Sequence, residues 1–292
     1  MEAYQTVPDT STERESRLEH ASRPGRALLG STFWGWAGPV LIMIFGGFLR
    51  FYRLGQPKAV IFDETYYVPD ANSILRHGVE LQHFKYVNSQ LVAGNPNIFL
   101  RVHGQFQPEL VAHPPLGKVL MAFGQWTFGL TPFGWRFSAA VIGTLAILLL
   151  ARIVRRMTRS TMLGCVAGLL LALDGLELVL SRTAILDIFL MFWVLAAFGL
   201  LVIDRDRTRA RLADAAEAAS PQDATGPKLG IRWIRVAAGL CLGAACATKW
   251  SGVWFLLAFA CLAIAWDYGA RRAAGYTHWL QGGVRRDRKS VV

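Results

Sequence analysis

Two adjacent carboxylates, Asp63 and Glu64, stand in the run Val60-Ile61-Phe62-Asp63-Glu64-Thr65-Tyr66-Tyr67, just after the first strongly hydrophobic stretch. A positioned carboxylate can take a proton from a hydroxyl in the transition state. A solvated loop feature would have the same residue types, so the pair alone leaves both readings open. A second set of charges, Asp174, Glu177, Arg182, Asp187 and Lys249, lies in or beside apolar runs. Each costs about 2.5–3.5 kcal/mol at the centre of a membrane helix, so each needs a partner or a purpose. Pairing of Glu177 or Asp187 with Arg182 or Lys249 would fix helix packing. Acids and cations gathered at one membrane face would also suit holding an anionic lipid headgroup and activating a nucleophile. A third set is Ala112-His113-Pro114-Pro115-Leu116-Gly117-Lys118. Its prolines fix an extended approach to a helix, and Lys118 falls in the first turns, where it can meet phosphate. A surface His and a snorkelling Lys explain that run equally well. His113 by itself is no metal site, and no His or Cys cluster with ligand spacing accompanies it.

The elements that must position these residues are apolar runs. The chain has 292 residues, 53% of them hydrophobic, with a mean hydropathy of +0.33. Because the apolar residues come in runs rather than at amphipathic spacing, the chain reads as a polytopic membrane protein. The formal charge of +11 comes largely from Arg clusters beside those runs. Positive-inside topology accounts for them, and no Arg-aromatic interleaving of a nucleic-acid groove is present, so nucleic acid is not an expected partner. Cys165, Cys241, Cys246 and Cys261 all lie within apolar runs and are expected as buried small hydrophobes.

Residues 1–30 form a polar tail expected to be disordered and cytoplasmic, and residues 31–286 a membrane domain. Six spans are expected: Phe33 to Leu49, Phe137 to Val154, Met162 to Leu180, Ala184 to Ile203, Val236 to Thr248 and Gly252 to Trp266. Residues 50–135, broken by seven prolines, form a long first extracytoplasmic loop. Within it, a short helix is expected over Tyr67 to His77 and an interfacial helix over Leu116 to Phe128. Residues 204–235, rich in Arg and Ala, form a cytoplasmic loop, part helix and part disordered. On this topology Asp63, Glu64, Asp174, Glu177, Arg182, Asp187 and Lys249 share the extracytoplasmic side. Residues 287–292 read like the translation of a common sequencing adapter, so the chain is expected to be the N-terminal fragment of a longer protein and inactive alone.

Five stretches, in order, resemble one family. They are Phe-Asp-Glu-x-x-Tyr at Phe62 to Tyr67, His-Pro-Pro-Leu-Gly-Lys at His113 to Lys118, and Gly-Trp-Arg-Phe with a following Gly-Thr-Leu from Gly134 to Leu145. Leu-Asp-Gly and Ser-Arg-Thr-Ala-Ile-Leu-Asp come next between Leu173 and Asp187, then Ala-Thr-Lys-Trp-Ser-Gly at Ala247 to Gly252. Together they are similar to the protein O-mannosyltransferases of the GT-C class. Each is weak alone; five in order, spread from Phe33 to about Trp266, are specific.

The resemblance implies an all-α polytopic membrane protein, a GT-C-type transmembrane helix bundle whose long first loop carries short interfacial helices. It implies inverting transfer of mannose from polyprenyl-phosphate-mannose to Ser or Thr hydroxyls of exported proteins, with no divalent metal and no other cofactor. Asp63 would be the general base and Glu64 its neighbour in organising the active site. His113, Lys118, Arg136, Arg182, Asp187 and Lys249 would bind substrate, the cations serving the phosphate leaving group. Membrane lipids, exported Ser/Thr-rich acceptors and the Sec translocon would be partners, at the plasma membrane with the N-terminus cytoplasmic. The Arg- and Ala-rich loop and the compact first loop look bacterial, of a high-GC actinobacterial kind, so the donor lipid would be a bacterial polyprenyl rather than dolichyl phosphate. Another GT-C transferase, acting on lipid or polysaccharide, would lack the His-Pro-Pro-Leu-Gly-Lys and Thr-Lys-Trp-Ser-Gly runs. A transporter would place its charges near the bilayer midplane and show an internal repeat, and no repeat is seen.

Overall fold

The structure is a computed structural model and describes residues 28–218 and 226–276. Ten helices and one small hairpin occupy these residues. The helices are α1 (Leu28–Phe51), α2 (Glu64–His77), α3 (Asn88–Val92), α4 (Leu116–Phe128), α5 (Pro132–Thr158), α6 (Thr161–Leu173), α7 (Gly175–Leu180), α8 (Leu186–Ala218), α9 (Trp233–Thr248) and α10 (Gly252–Ala273). The hairpin pairs β1 (Arg101–Val102) with β2 (Gln105–Phe106). Helix α1 packs on α5 and α6, while α8 packs on α5, α9 and α10, so α5 and α8 form the seam between two helix groups.

Helices α5, α8 (over Leu186–Glu217) and α10 are long and apolar enough to cross a membrane; Gly35–Phe51, Thr161–Leu173 and Trp233–Thr248 are shorter apolar helices. Local sequence sets their ends. Thr131 caps α5 by accepting from Gly134 N at 3.1 Å, with Pro132 opening the first turn. Ser160 caps α6 by accepting from Leu163 N at 3.3 Å.

The third expected span is not one helix. Asp174 takes a non-helical backbone (φ −59°, ψ 122°), and its carboxylate accepts from Glu177 N at 2.7 Å to begin α7. Asp174 and Glu177 are thus joined as cap and first turn rather than sharing a face of a continuous span. A side chain that bonds nearby backbone competes with the helix ladder, which is why an Asp-Gly pair breaks it. The helical part expected within residues 204–235 is the end of α8, which runs unbroken through residues 204–218. The cysteines are corrected in turn: Cys165, Cys241 and Cys246 are half-buried and Cys261 is exposed. Of the tail expected over residues 1–30, residues 28–30 instead open α1, while residues 1–27 and the adapter-like residues 287–292 lie outside the described residues.

Residues 50–135 hold more than short helices. Helix α2 begins at Glu64, three residues before its expected start, with Asp63 at its N-cap. Isolated bridges pair Leu81 with Pro108 and His83 with Phe99, beside the hairpin. Helix α4 has its expected bounds, and its two faces differ. Gly117, Lys118, Met121 and Gln125 are buried, whereas Val119, Phe123 and Trp126 are exposed. Contacts with α2 and α5 cover the first face. The core beneath the loop gathers Val68, Leu91, Ile98, Met121, Trp135 and Phe189.

Helices α4 and α5 meet backbone to backbone. A Cβ on Gly124 would lie 2.3 Å from Gly134 O, a contact that only a shift of one helix relieves. Gly124→Ala is therefore expected to destabilise the protein by about 1–3 kcal/mol, seen as a lower unfolding midpoint in detergent. Gly269→Ala on α10, where a Cβ meets nothing within 4 Å, should leave the midpoint unchanged or raise it. Equal midpoints for Gly124→Ala and the wild type would refute the close approach.

Candidate active site

The site is built around a guanidinium. Arg136, in the first turns of α5 and fully buried, donates from Nε to Glu64 Oε1 at 2.7 Å and from Nη2 to Glu64 Oε2 at 2.9 Å. Its remaining N–H groups reach Leu54 O (3.3 Å), Pro57 O (3.1 Å) and Ala59 O (2.9 Å). A guanidinium has five donors, and here all five are engaged. Glu64, likewise fully buried, also accepts from Ile61 N at 3.0 Å and Ala184 N at 3.1 Å. One ion pair thereby ties the segment after α1, the start of α2, helix α5 and the residues before α8. The expectation that Arg136 meets a donor phosphate is corrected: it has no donor to spare. Glu64, expected beside Asp63 as a group that organises the site, holds the turn at the start of α2 through Arg136 and its two backbone amides.

What the pair positions is Asp63. Its side chain is half-exposed at the N-terminus of α2, forms no cap bond, and has no hydrogen-bond or ion-pair partner among the described residues. Phe62, next to it, adopts a left-handed backbone (φ 52°) with its ring 79% exposed. For a bulky residue that conformation persists only where surrounding structure enforces it. The Glu64–Ile61 bond within this turn, anchored by Arg136, is that enforcement.

Around Asp63 stand Tyr67, His113, Asp187 and Lys249. Tyr67 is buried and its phenol is pushed up to about 12, first by burial and then by the charges of Asp63, Asp187 and Asp70. His113 lies with its ring 6.3 Å from that of Tyr67. Its Nδ1 is buried without a hydrogen-bond partner. Burial, followed by the charges of Lys249 and Lys118, holds His113 below the ordinary imidazole value. Lys249, just past α9, donates to Asp187 Oδ1 at 2.7 Å, and both side chains keep exposure, 24% and 43%. Trp250 Nε1 donates to Ala112 O at 3.2 Å, which holds the His113 segment against the turn between α9 and α10. Arg182 donates to Leu49 O at 2.9 Å, is half-buried and has no carboxylate partner among the described residues.

Lys118 departs from its expected role. It is almost fully buried and bridges Asp70 at 2.8 Å and Glu80 at 2.6 Å, because its position early in α4 faces α2. Glu109 also belongs to this acidic surround; burial, then Asp70, raises its carboxyl above the usual range. Glu177 pairs with Arg50, and not with either expected cation. Asp70, Glu80, Glu109 and Arg50 carry no distinguishing spacing in the sequence, whereas Tyr67 stood in the first motif. Among the described residues no group of three His, Cys, Asp or Glu side chains is placed to hold a metal ion.

A sequence model of the family described as dolichyl-phosphate-mannose-protein mannosyltransferase matches residues 40–280. The chain belongs to this family. Its relatives include proteins named polyprenol-phosphate-mannose--protein mannosyltransferase. That of Mycolicibacterium smegmatis strain MKD8 is 40% identical over 97% of this chain and 52% of its own length. That of Mycobacterium tuberculosis H37Rv is 44% identical over 87% and 45%, and that of Corynebacterium glutamicum 36% identical over 85% and 45%. The chain therefore spans about half the length of the curated relatives it matches. Among solved structures it resembles the S. cerevisiae protein O-mannosyltransferase Pmt1-Pmt2 complex bound to the sugar donor, with TM-score 0.55 and 20% identity over 91% of this chain and 33% of that one. At that identity the likeness speaks for the GT-C membrane fold alone.

The clamp of this mannosyltransferase-family chain is testable by charge-preserving substitution. Arg136→Lys keeps the charge and loses the planar five-donor fork, so the buried Glu64 loses most of its partners. The expected loss is about 3–5 kcal/mol, read as a lower midpoint in detergent; wild-type stability in Arg136→Lys would rule the clamp out. His113 gives a pH test. Its value in the folded protein is depressed, so its contribution is whole above the ordinary 6.5 and declines as pH falls below it. His113→Gln should flatten that acid-side decline, and an unchanged pH profile would count against a depressed value for the half-buried imidazole.

Proposed function

We propose that this chain carries the proton-accepting and phosphate-binding end of an inverting protein O-mannosyltransferase, which moves mannose from polyprenyl-phosphate-mannose to Ser or Thr hydroxyls of exported proteins. The observation that carries the proposal is Asp63: a carboxylate with no partner among the described residues, fixed by a saturated ion pair next to it and standing near Lys249, Asp187 and His113. Membership of the family and the relatives' names support the donor class. An active site on the extracytoplasmic side of the plasma membrane, with a cytoplasmic N-terminus, is part of the same proposal.

A Ser or Thr hydroxyl is a weak nucleophile. In the proposed step Asp63 takes its proton as the hydroxyl oxygen attacks the anomeric carbon from the face opposite the phosphate. The bond from that carbon to the phosphate oxygen breaks, the configuration inverts, and polyprenyl phosphate leaves with the bonding electrons. The phosphate gains charge as it departs, so it needs cations more than an acid. Lys249 and Arg182 supply them without a divalent metal; Lys249 is held by Asp187, and Arg182 by one backbone carbonyl. Tyr67 stays a neutral phenol at physiological pH and adds no negative charge beside the phosphate. The partnerless, neutral His113 is suited to hydrogen bonding with a sugar hydroxyl or the acceptor backbone.

The test is mannosyl transfer from polyprenyl-phosphate-mannose to a Ser/Thr-rich peptide, in membranes carrying the full-length gene product. Asp63→Asn is expected to lower turnover by about 10²–10⁴ with membrane insertion intact. Lys249→Ala should chiefly weaken donor use, raising KM for the donor. Near-normal turnover in Asp63→Asn would exclude it as base, and donor consumption without peptide labelling would point to a lipid or polysaccharide acceptor.

A further inference from the structure

The end of the bundle remote from Asp63 has a charge arrangement that the proposed transfer does not use. Residues 187 to 204 of α8 span about 26 Å, close to the roughly 30 Å thickness of a bilayer core, so Asp187 and Asp204 mark opposite faces. At the Asp204 end, Arg232 and Arg235 each bond both Asp204 and Asp267. Two acids and two cations cancel there, and Asp206 is shared by Arg156 and Arg205.

Arg207 and Arg211 stand outside these networks. They lie four residues apart on α8, hence on one face. Both are exposed and have no partner among the described residues. Together with Thr208, Asp204, Ile231 and Trp233 they line a cavity of about 110 Å³. Since Asp204 is already neutralised, the cavity presents a surplus of two positive charges.

The surroundings of this cavity are apolar in a directional way. Ile231 and Trp233 at its rim are 69% and 72% exposed, and Val236 and Leu240 continue the Trp233 face of α9 at 45% and 72%. Spacings of three and four residues place these side chains in one stripe running from the cavity toward the Asp63 end. A Trp at the start of such a stripe suits the membrane–water interface. A phosphate in the cavity would thus have two guanidinium donors at its headgroup and an apolar track for its chains.

We propose that Arg207 and Arg211 form a binding site for the phosphate of an anionic membrane phospholipid, in the leaflet opposite Asp63. Two fork-shaped donors on one helix face match a phosphodiester better than scattered lysines would. Basic pockets between membrane helices bind anionic headgroups on the same principle. The site anchors the junction of α8 and α9 to the lipid and is independent of the transfer chemistry.

The experiment is native mass spectrometry of the purified, delipidated chain in detergent, titrated with dioleoylphosphatidylglycerol or dioleoylphosphatidylcholine. The wild type should bind the anionic lipid about tenfold or more tightly than the zwitterionic one, and Arg207→Gln/Arg211→Gln should abolish the difference. Arg209→Gln, exposed on the same helix but not lining the cavity, should retain it. Equal binding of the two lipids by the wild type overturns the proposal without any variant. So does undiminished preference in the double variant, an equal loss in Arg209→Gln, which would signify diffuse charge, or displacement of the lipid by millimolar inorganic phosphate.

Discussion

The buried pair of Arg136 and Glu64 is the constraint on which the Asp63 end of the bundle depends. Removing two such groups from water is costly, and attraction between them repays the cost only when every remaining donor and acceptor finds a partner. Here each does: the guanidinium uses all five donors, and the carboxylate takes two backbone amides as well. Those partners come from separated parts of the chain, so the pair can be satisfied only when α1, α2, α5 and the start of α8 are all in place. That requirement converts an electrostatic liability into a specification of geometry. It also fixes the turn at Phe62, and with it the direction in which Asp63 leaves the start of α2.

Burial separates the charges of the chain into two kinds. Arg50 with Glu177, Lys118 with Asp70 and Glu80, and Arg136 with Glu64 are pairs in which the cation is 0–1% exposed and the acids 0–10%. They join elements distant in sequence and offer little to a ligand. Lys249 with Asp187 is different, since both side chains remain accessible. A pair of that kind can exchange its partner for a substrate phosphate without leaving a charge stranded in an apolar interior. Asp63 and Arg182, lacking any counter-charge among the described residues, belong with it. The candidate site is thus the subset of charges that folding has not consumed.

Much of the helical framework was legible because apolar runs of span length leave few alternatives, and the bounds of α4 followed from flanking prolines and glycines. The family was legible from five ordered motifs. The break at Asp174 was less so: the run from Met162 to Leu180 is apolar apart from Asp174 and Glu177, and the capping chemistry of that Asp divides it. The role of each motif charge was harder still. Asp63 and Glu64 are neighbours of nearly the same chemistry, yet the start of α2 turns one inward to Arg136 and the other outward. Lys118 and Lys249 both looked suited to phosphate, and the difference lies in Asp70 and Glu80, whose approach to Lys118 depends on how α2 packs against α4. Motifs mark which positions matter, while the partners that decide how they matter come from tertiary contacts.

Charge balance is settled locally at each end of α8, and the two ends come out differently. Near Asp187 the helix meets one lysine and a carboxylate left free at Asp63, an arrangement able both to accept a proton and to stabilise a leaving phosphate. Near Asp204 four charges cancel within one network, and the two cavity-lining arginines on the next turns have no partner among the described residues. A helix crossing about 26 Å between these ends keeps the two surpluses apart, so an anion drawn to one is not drawn from the other. The two ends of α8 therefore differ in which charges folding leaves accessible, a carboxylate beside a lysine–aspartate pair at one and guanidinium groups lining a cavity at the other.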